Sequence, residues 1–145
     1  MERTKSNFRA LREMVGMSQG HLAMVCGIDS RNVRRWEDPK EQGCQPRDFA
    51  WDVLEDARKA QLVAYDAAIT AVEDVSDEVG HAPKSVRLTY WPDAITYAHA
   101  HPEEDPAKWQ MKNATARLAG HMLEEMGYTV DYDFPGLRET LTQDQ

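Results

Sequence analysis

The chain has 145 residues, 41% of them hydrophobic and 29% charged, which suits one ordinary globular domain or two small ones. No apolar run is long enough to span a membrane, and the N-terminus lacks the apolar core of a secretory signal, so we expect a cytoplasmic protein with no membrane partner. The two cysteines, Cys26 and Cys44, have no metal-ligand spacing and are expected to be free thiols.

The net charge of −8 is unevenly distributed along the chain. Residues 1–47 hold nine Lys or Arg and six Asp or Glu, a net charge of +3, whereas residues 48–145 hold eight and nineteen, a net charge of −11. A basic segment can approach phosphate, and an acidic one is repelled by it. The N-terminal third is therefore the part that could meet a nucleic acid.

Three short helices are predicted in the first third of the chain. Apolar residues at helical spacing, good N-cap residues and helix-ending glycines mark their bounds. The helices are Asn7–Val15, ended by Gly16; Gln19–Val25, capped by Ser18 and ended by Gly27; and a third that runs to about Glu37, capped by Asp29 or Ser30. Residues 38–47, with two prolines and a glycine, are expected to form a loop.

The remaining two thirds are predicted to be mainly helical with two short strands. The pattern gives one long or two shorter helices over 48–79, a strand at 86–90, a helix at 94–101, a helix at 107–126, a strand at 128–134 and a polar tail from Pro135. The expected core of the helix at 107–126 is Trp109, Ala116, Leu118, Ala119, Met122 and Met126. Two short strands form a marginal sheet, so we expect them to pair across a dimer.

Residues 18–37 have the pattern of two helices that cross at a steep angle through a tight turn. An apolar and a small residue are needed where the second helix passes close, and the turn needs a residue that tolerates positive φ. Apolar residues must flank the turn and point back from the second helix. The seven positions are filled by Leu22, Ala23, Cys26, Gly27, Ile28, Val33 and Trp36.

The residues of the third helix that do not face the core are expected to be exposed and able to contact a ligand. Arginine can pair with guanine through two hydrogen bonds, asparagine can do so with adenine, and residues near the start of such a helix can reach base edges in the major groove. Glutamine at the start of the preceding helix suits a backbone phosphate. The candidate DNA-binding residues are therefore Gln19, Ser30, Arg31, Asn32, Arg34 and Arg35.

Residues 6–54 resemble the Cro/cI-type (XRE) helix-turn-helix domain of phage-repressor-type regulators. The resemblance rests on Ser18-Gln19, Leu22-Ala23, Gly27 and the ending Val33-x-x-Trp36-Glu37. It implies a lambda-repressor-like helical bundle, with Ser30, Arg31, Arg34 and Arg35 on the DNA-facing side of the recognition helix.

The remainder resembles, by its order of elements and the segment Val86-Arg87-Leu88-Thr89-Tyr90-Trp91, the compact repressors of the YdiL type, which include anti-CRISPR-associated regulators. In these a second domain makes the homodimer. The expected fold is therefore mainly α, with a DNA-binding domain at 1–54, a helical dimerisation domain with two short strands at 55–134, and a flexible tail at 135–145.

No catalytic arrangement stands out, and we expect no cofactor and no bound metal. His99 and His101 lack a third ligand nearby, so solvent-facing histidines are the expected reading. Tyr90, Trp91 and Tyr97 could line a ligand pocket, although a core or a dimer seam is the favoured interpretation.

The sequence thus predicts a transcriptional regulator and not an enzyme: a homodimeric repressor that reads an inverted-repeat operator in double-stranded DNA with residues 30–37. The alternative is an antitoxin or adaptor whose acidic C-terminal domain binds a partner protein, with DNA binding for autoregulation. A third possibility, a ligand-responsive regulator, requires a pocket within residues 84–134.

Overall fold

The computed structural model describes residues 1–81 and 85–136, and this part of the chain is mainly helical with one small parallel sheet. In chain order its elements are α1 (Lys5–Val15), α2 (Gln19–Cys26), α3 (Ser30–Glu37), α4 (Asp48–Val79), β1 (Ser85–Thr89), α5 (Ala94–Ala100), a 3-10 turn (Pro106–Lys108), α6 (Trp109–Glu125) and β2 (Thr129–Asp133). The predicted class, mainly α with two short strands, is confirmed. The predicted tail lies outside the described residues beyond Gly136.

The chain divides into two compact units, Met1–Asp66 and Ala67–Gln145. Helix α4 is one continuous helix of 32 residues, so of the two arrangements that the sequence left open the single long helix is the one found. Among the helices that the structure describes, none is long and apolar enough to cross a membrane.

The first three helices begin at side-chain caps. Thr4 Oγ1 accepts a hydrogen bond from the Asn7 N–H (3.1 Å), which starts α1 two residues earlier than the sequence pattern predicts. Ser18 and Asp29 cap α2 and α3 in the same way. Such caps satisfy backbone N–H groups that a helix leaves without a partner.

The core of the first unit is aromatic and lies where its helices meet. Phe8 has no exposed surface, and its ring packs edge-on against Trp36 (5.9 Å between centroids) and Trp51 (5.2 Å). Lys5 Nζ donates hydrogen bonds to the carbonyls of Arg35 and Trp36 at the end of α3 and to Cys44 in the following loop. The loop is thereby fastened to the C-terminal end of α3.

The second unit is built around α6 and the sheet. Strands β1 and β2 pair in parallel within one chain, in register from Ser85–Thr129 to Thr89–Asp133. Alternate residues of β1 are exposed, and both strands contact α6. The two strands therefore pair with each other within one chain, and the expectation that they pair across a dimer is wrong.

A buried asparagine fixes the segment after β1. Asn113 on α6 accepts a hydrogen bond from the Trp91 N–H (2.7 Å) and donates one to the Trp91 carbonyl (2.8 Å). Tyr97, which has no exposed surface, packs edge-on against the Trp91 ring.

The core positions predicted for α6 need correction. Met122 and Met126 are 39% and 43% exposed, whereas Leu123 has no exposed surface. The buried residues of α6 are Asn113, Ala114, Ala119, Gly120 and Leu123. Of the six predicted core positions, Ala119 is buried and Trp109, Ala116 and Leu118 are partly buried, whereas Leu123 takes the place that Met122 was predicted to have.

Candidate nucleic-acid interface

Helix α3 has two chemically distinct faces. Val33, Trp36 and Glu37 are buried. The predicted DNA-binding residues on this helix are all exposed: Ser30, Arg31, Asn32, Arg34 and Arg35. The structure therefore brings five of the six candidate residues together on one exposed polar surface, which we call the α3 surface.

The turn before α3 has the geometry that the sequence predicted at Gly27. Gly27 has φ 68° and ψ 34°, the left-handed conformation that glycine adopts without steric cost. The Ile28 N–H donates to the Ala23 carbonyl (3.0 Å), which closes the end of α2. Leu22 and Val33, each with no exposed surface, are part of the core beneath the turn.

The three arginines of the α3 surface differ in their partners. Arg31 lies beside the helix cap: its N–H donates to Asp29 Oδ1 (2.8 Å), and its Nη2 is 3.3 Å from Asp29 Oδ2. The hydrogen bond from the Arg31 backbone N–H is the main cause that lowers the pKa of Asp29. The hydrogen bond from the Arg31 side chain is the second cause. Within the described part of the chain, no ion pair within 4.0 Å involves Arg34 or Arg35. Both guanidinium groups are thus available to an anionic ligand.

Gln19, the sixth candidate, lies on α2, and its side chain contacts the C-terminal end of α3. It is half-buried, and its Nε2 donates to Glu37 Oε1 (3.1 Å). The amide that was predicted to meet a phosphate therefore has an internal partner in this structure. A phosphate contact from Gln19 stays a prediction that requires this hydrogen bond to be shared or exchanged.

A buried ion pair holds α3 against α1. Arg12 Nε lies 2.6 Å from Glu37 Oε2 and Arg12 Nη2 lies 2.7 Å from Glu37 Oε1, a two-point contact between a side chain that is 9% exposed and one that is 3% exposed. Arg12 also donates to the Met17 carbonyl (2.8 Å) before α2. One guanidinium group therefore connects α1, the α1–α2 turn and the end of α3.

Sequence reasoning missed this pair because its members are 25 positions apart. An arginine on α1, however, occupies the helical position next to Leu11 in the apolar stripe, and a glutamate directly follows Trp36. A charged residue at the edge of each of two apolar helix faces was the signal from which this ion pair could have been predicted.

An open cleft of about 800 Å³ lies beside the α3 surface. Asn32 and Trp36 line it from α3, and residues 43–49 line it from the loop and the start of α4. Arg47 is exposed on this loop side. The cleft therefore presents both a cation, Arg47, and a carboxylate, Asp48.

The other candidate residues lie in the second unit. His99 is exposed, as expected, but the expectation for His101 is wrong: it is only partly exposed, and its ring packs against Trp91 and Tyr97. His101 Nδ1 is 3.4 Å from Glu104 Oε2 and 3.7 Å from Glu103 Oε1, a grouping that could hold a metal ion. Glu104, however, also accepts a hydrogen bond from the Tyr97 hydroxyl (2.7 Å). This carboxylate is thus already used within the protein.

The three aromatic residues considered for a pocket have separate roles. Trp91 and Tyr97 are core residues, 9% and 0% exposed. Tyr90 is half-buried and lines a pocket with residues of α6 and β2.

Comparisons with known proteins add no assignment to this geometry: no protein-family profile matches the chain, and no curated protein matches it.

Proposed function

We propose that this protein is a sequence-specific DNA-binding transcriptional regulator, a homodimeric repressor that reads an inverted-repeat operator with helix α3. The observation that carries the proposal is the α3 surface, where three arginines, an asparagine and a serine are exposed on a helix whose opposite face is buried. The resemblance of residues 6–54 to the Cro/cI-type helix-turn-helix supports the same function.

The dimensions of α3 suit the major groove. An α-helix with its side chains is about 10–12 Å in diameter, and the major groove of B-form DNA is about 12 Å wide, so the exposed face of α3 can enter the groove. Arg31 and Asn32 lie in the first turn, where they can reach base edges, guanine and adenine respectively. Arg34 and Arg35, in the second turn, can pair with guanine or with backbone phosphate.

The buried contacts of α3 favour a rigid reading element. A recognition helix discriminates between bases only if its side chains start from a fixed backbone position. Glu37 at the end of α3 is held by Arg12, and Asp29 caps its start. The Arg12 pair thereby fixes the C-terminal end of α3 to α1, and the Asp29 cap stabilises its first turn.

One such helix contacts few base pairs, so the proposal includes a second copy of the chain. In a symmetric dimer, two α3 helices enter successive major grooves about 34 Å apart and read an inverted repeat. The predicted dimer-forming part is residues 55–134. Occupation of a promoter by such a dimer blocks polymerase and needs no enzymatic step.

The uneven charge supports selectivity. Nonspecific affinity comes mainly from phosphate contacts and falls as negative charge is added to the protein. The first 47 residues carry +3 and the remainder −11. We therefore expect weak binding to random DNA.

The test compares two arginine variants on an operator selected from random DNA. Arg34→Ala removes a side chain of the α3 surface, whereas Arg87→Ala removes an exposed arginine of the second unit with the same change in net charge. Fluorescence anisotropy should show a loss of about 1–3 kcal/mol for Arg34→Ala and little loss for Arg87→Ala.

Equal losses for the two arginine variants would show that only net charge matters, and would refute α3 as the reading element. Sedimentation of the free protein tests the dimer separately. A monomer at micromolar concentration contradicts the homodimer.

A further inference from the structure

A second site lies in the second unit, on the outer side of α6. A pocket of about 440 Å³ is lined by Tyr90, Arg117, His121, Glu124 and Tyr132. Pockets for small molecules usually have volumes of about 300–1,000 Å³. The volume suits a ligand with one ring system.

Two tyrosines form the aromatic walls of this pocket. The rings of Tyr90 and Tyr132 meet edge to face, with centroids 5.5 Å apart. The Tyr132 hydroxyl lies against Gly120, where a Cβ atom would be only 2.1 Å from the hydroxyl oxygen. The position of this wall therefore depends on the absence of a side chain at residue 120.

The polar group of the pocket is Arg117. Its guanidinium carbon is 5.9 Å from the centre of the Tyr90 ring, and its Nη1 donates to the Tyr90 hydroxyl. Within the described part of the chain, no ion pair involves Arg117. A guanidinium group has five N–H donors, so most of its donors remain available to an anion.

The remaining lining residues restrict the charge of that anion. His121 is one turn along α6 from Arg117, and Glu124 is almost one turn further. A single arginine with a carboxylate nearby suits a monoanion better than a phosphate dianion, because Glu124 repels the second charge. Glu124 can instead accept a hydrogen bond from a hydroxyl or amino substituent of the ligand.

We propose that this pocket binds a small aromatic carboxylate, with its ring against Tyr90 and Tyr132 and its carboxylate on Arg117. Aromatic rings pack edge to face or offset on tyrosine, and arginine binds a carboxylate through two parallel hydrogen bonds. Binding at this site does not depend on DNA recognition by α3.

The test uses isothermal titration calorimetry of the full chain with three probes. Benzoate carries the ring and the charge, benzamide has the same shape without the charge, and acetate has the charge without the ring. Benzoate should bind about tenfold or more tightly than either of the other probes, because only it makes both contacts.

Two variants locate the binding. Arg117→Gln should weaken benzoate binding about tenfold, and Arg87→Gln, an exposed arginine of the same unit outside the pocket, should leave it unchanged. Circular dichroism of both variants verifies that the fold is retained. The proposal is overturned if benzoate shows no binding at millimolar concentration, if benzamide binds equally well, or if Arg117→Gln binds benzoate like the unmodified chain.

Discussion

The substitution Glu37→Ala removes the carboxylate on which the position of α3 depends. In the folded chain this carboxylate pairs with Arg12 at two points and accepts a hydrogen bond from Gln19. The Arg12 side chain is only 9% exposed, so its charge would lie where little water reaches it. The hydrogen bond to the Met17 carbonyl and a 3.9 Å ion pair with the half-exposed Glu13 would remain.

The expected cost is about 3–5 kcal/mol, the usual effect of removing one partner of a buried ion pair. At about 0.05–0.15 kcal/mol per residue, a unit of 66 residues has a total stability of about 3–10 kcal/mol. The loss is therefore at least about a third of the stability of the first unit. Glu37→Ala should strongly reduce the free energy of unfolding of α1–α3 at neutral pH.

Hydrogen exchange of the backbone amides of α1–α3, read by mass spectrometry of peptides, measures this loss without interference from the second unit. The matched control is Glu55→Ala, which removes a half-exposed glutamate of the same unit paired with Arg3 and should leave the protection nearly unchanged. The double variant Arg12→Met/Glu37→Leu removes both charges and should recover most of the protection. Equal protection in Glu37→Ala and the Glu55→Ala control would refute the structural role of the ion pair.

Three further substitutions test other parts of the fold. Asn113→Ala leaves the buried N–H and carbonyl of Trp91 without their partner and should cost about 2–4 kcal/mol in urea unfolding of the second unit; a cost below about 1 kcal/mol contradicts this contact. Gly27→Ala puts a Cβ on a residue with φ 68° but meets no atom within 4 Å, so the backbone alone should cost about 1–2 kcal/mol, and an unchanged urea midpoint contradicts the left-handed turn. The Thr96 N–H holds the pKa of Asp93 below its usual 3.8, so the stability from this carboxylate is complete above pH 4 and is lost as the pH falls through the folded-state pKa. The difference in Tm between the unmodified chain and Asp93→Asn should therefore shrink in acid, and a constant difference would contradict the cap.

Much of the first unit could be predicted because its signals are local. Caps at Ser18 and Asp29, the glycine at 27 and the apolar spacing along α3 each involve residues within one or two turns. The exposure of the α3 surface follows from the same spacing. Local chemistry was therefore sufficient to place five of the candidate residues on one face.

Contacts between distant parts of the sequence could not be predicted in the same way. The Arg12–Glu37 pair and the Gln19 hydrogen bond join residues 25 and 18 positions apart, and no periodic pattern reports them. In α6, two methionines at helical spacing suggested a buried stripe, but the unit packs the helix on Leu123. Methionine side chains are flexible and adaptable, so the apolar pattern of this helix did not decide whether Met122 or Leu123 faces the core.

The most direct test of the proposed function is selection of bound sequences from a pool of random double-stranded DNA. The proposal predicts enrichment of an inverted repeat whose half-sites are centred about one helical turn apart, roughly 34 Å, and loss of that enrichment for Arg31→Ala/Arg34→Ala. A pool that shows no enriched sequence, or the same sequence enriched by the double variant, would contradict sequence-specific recognition by α3.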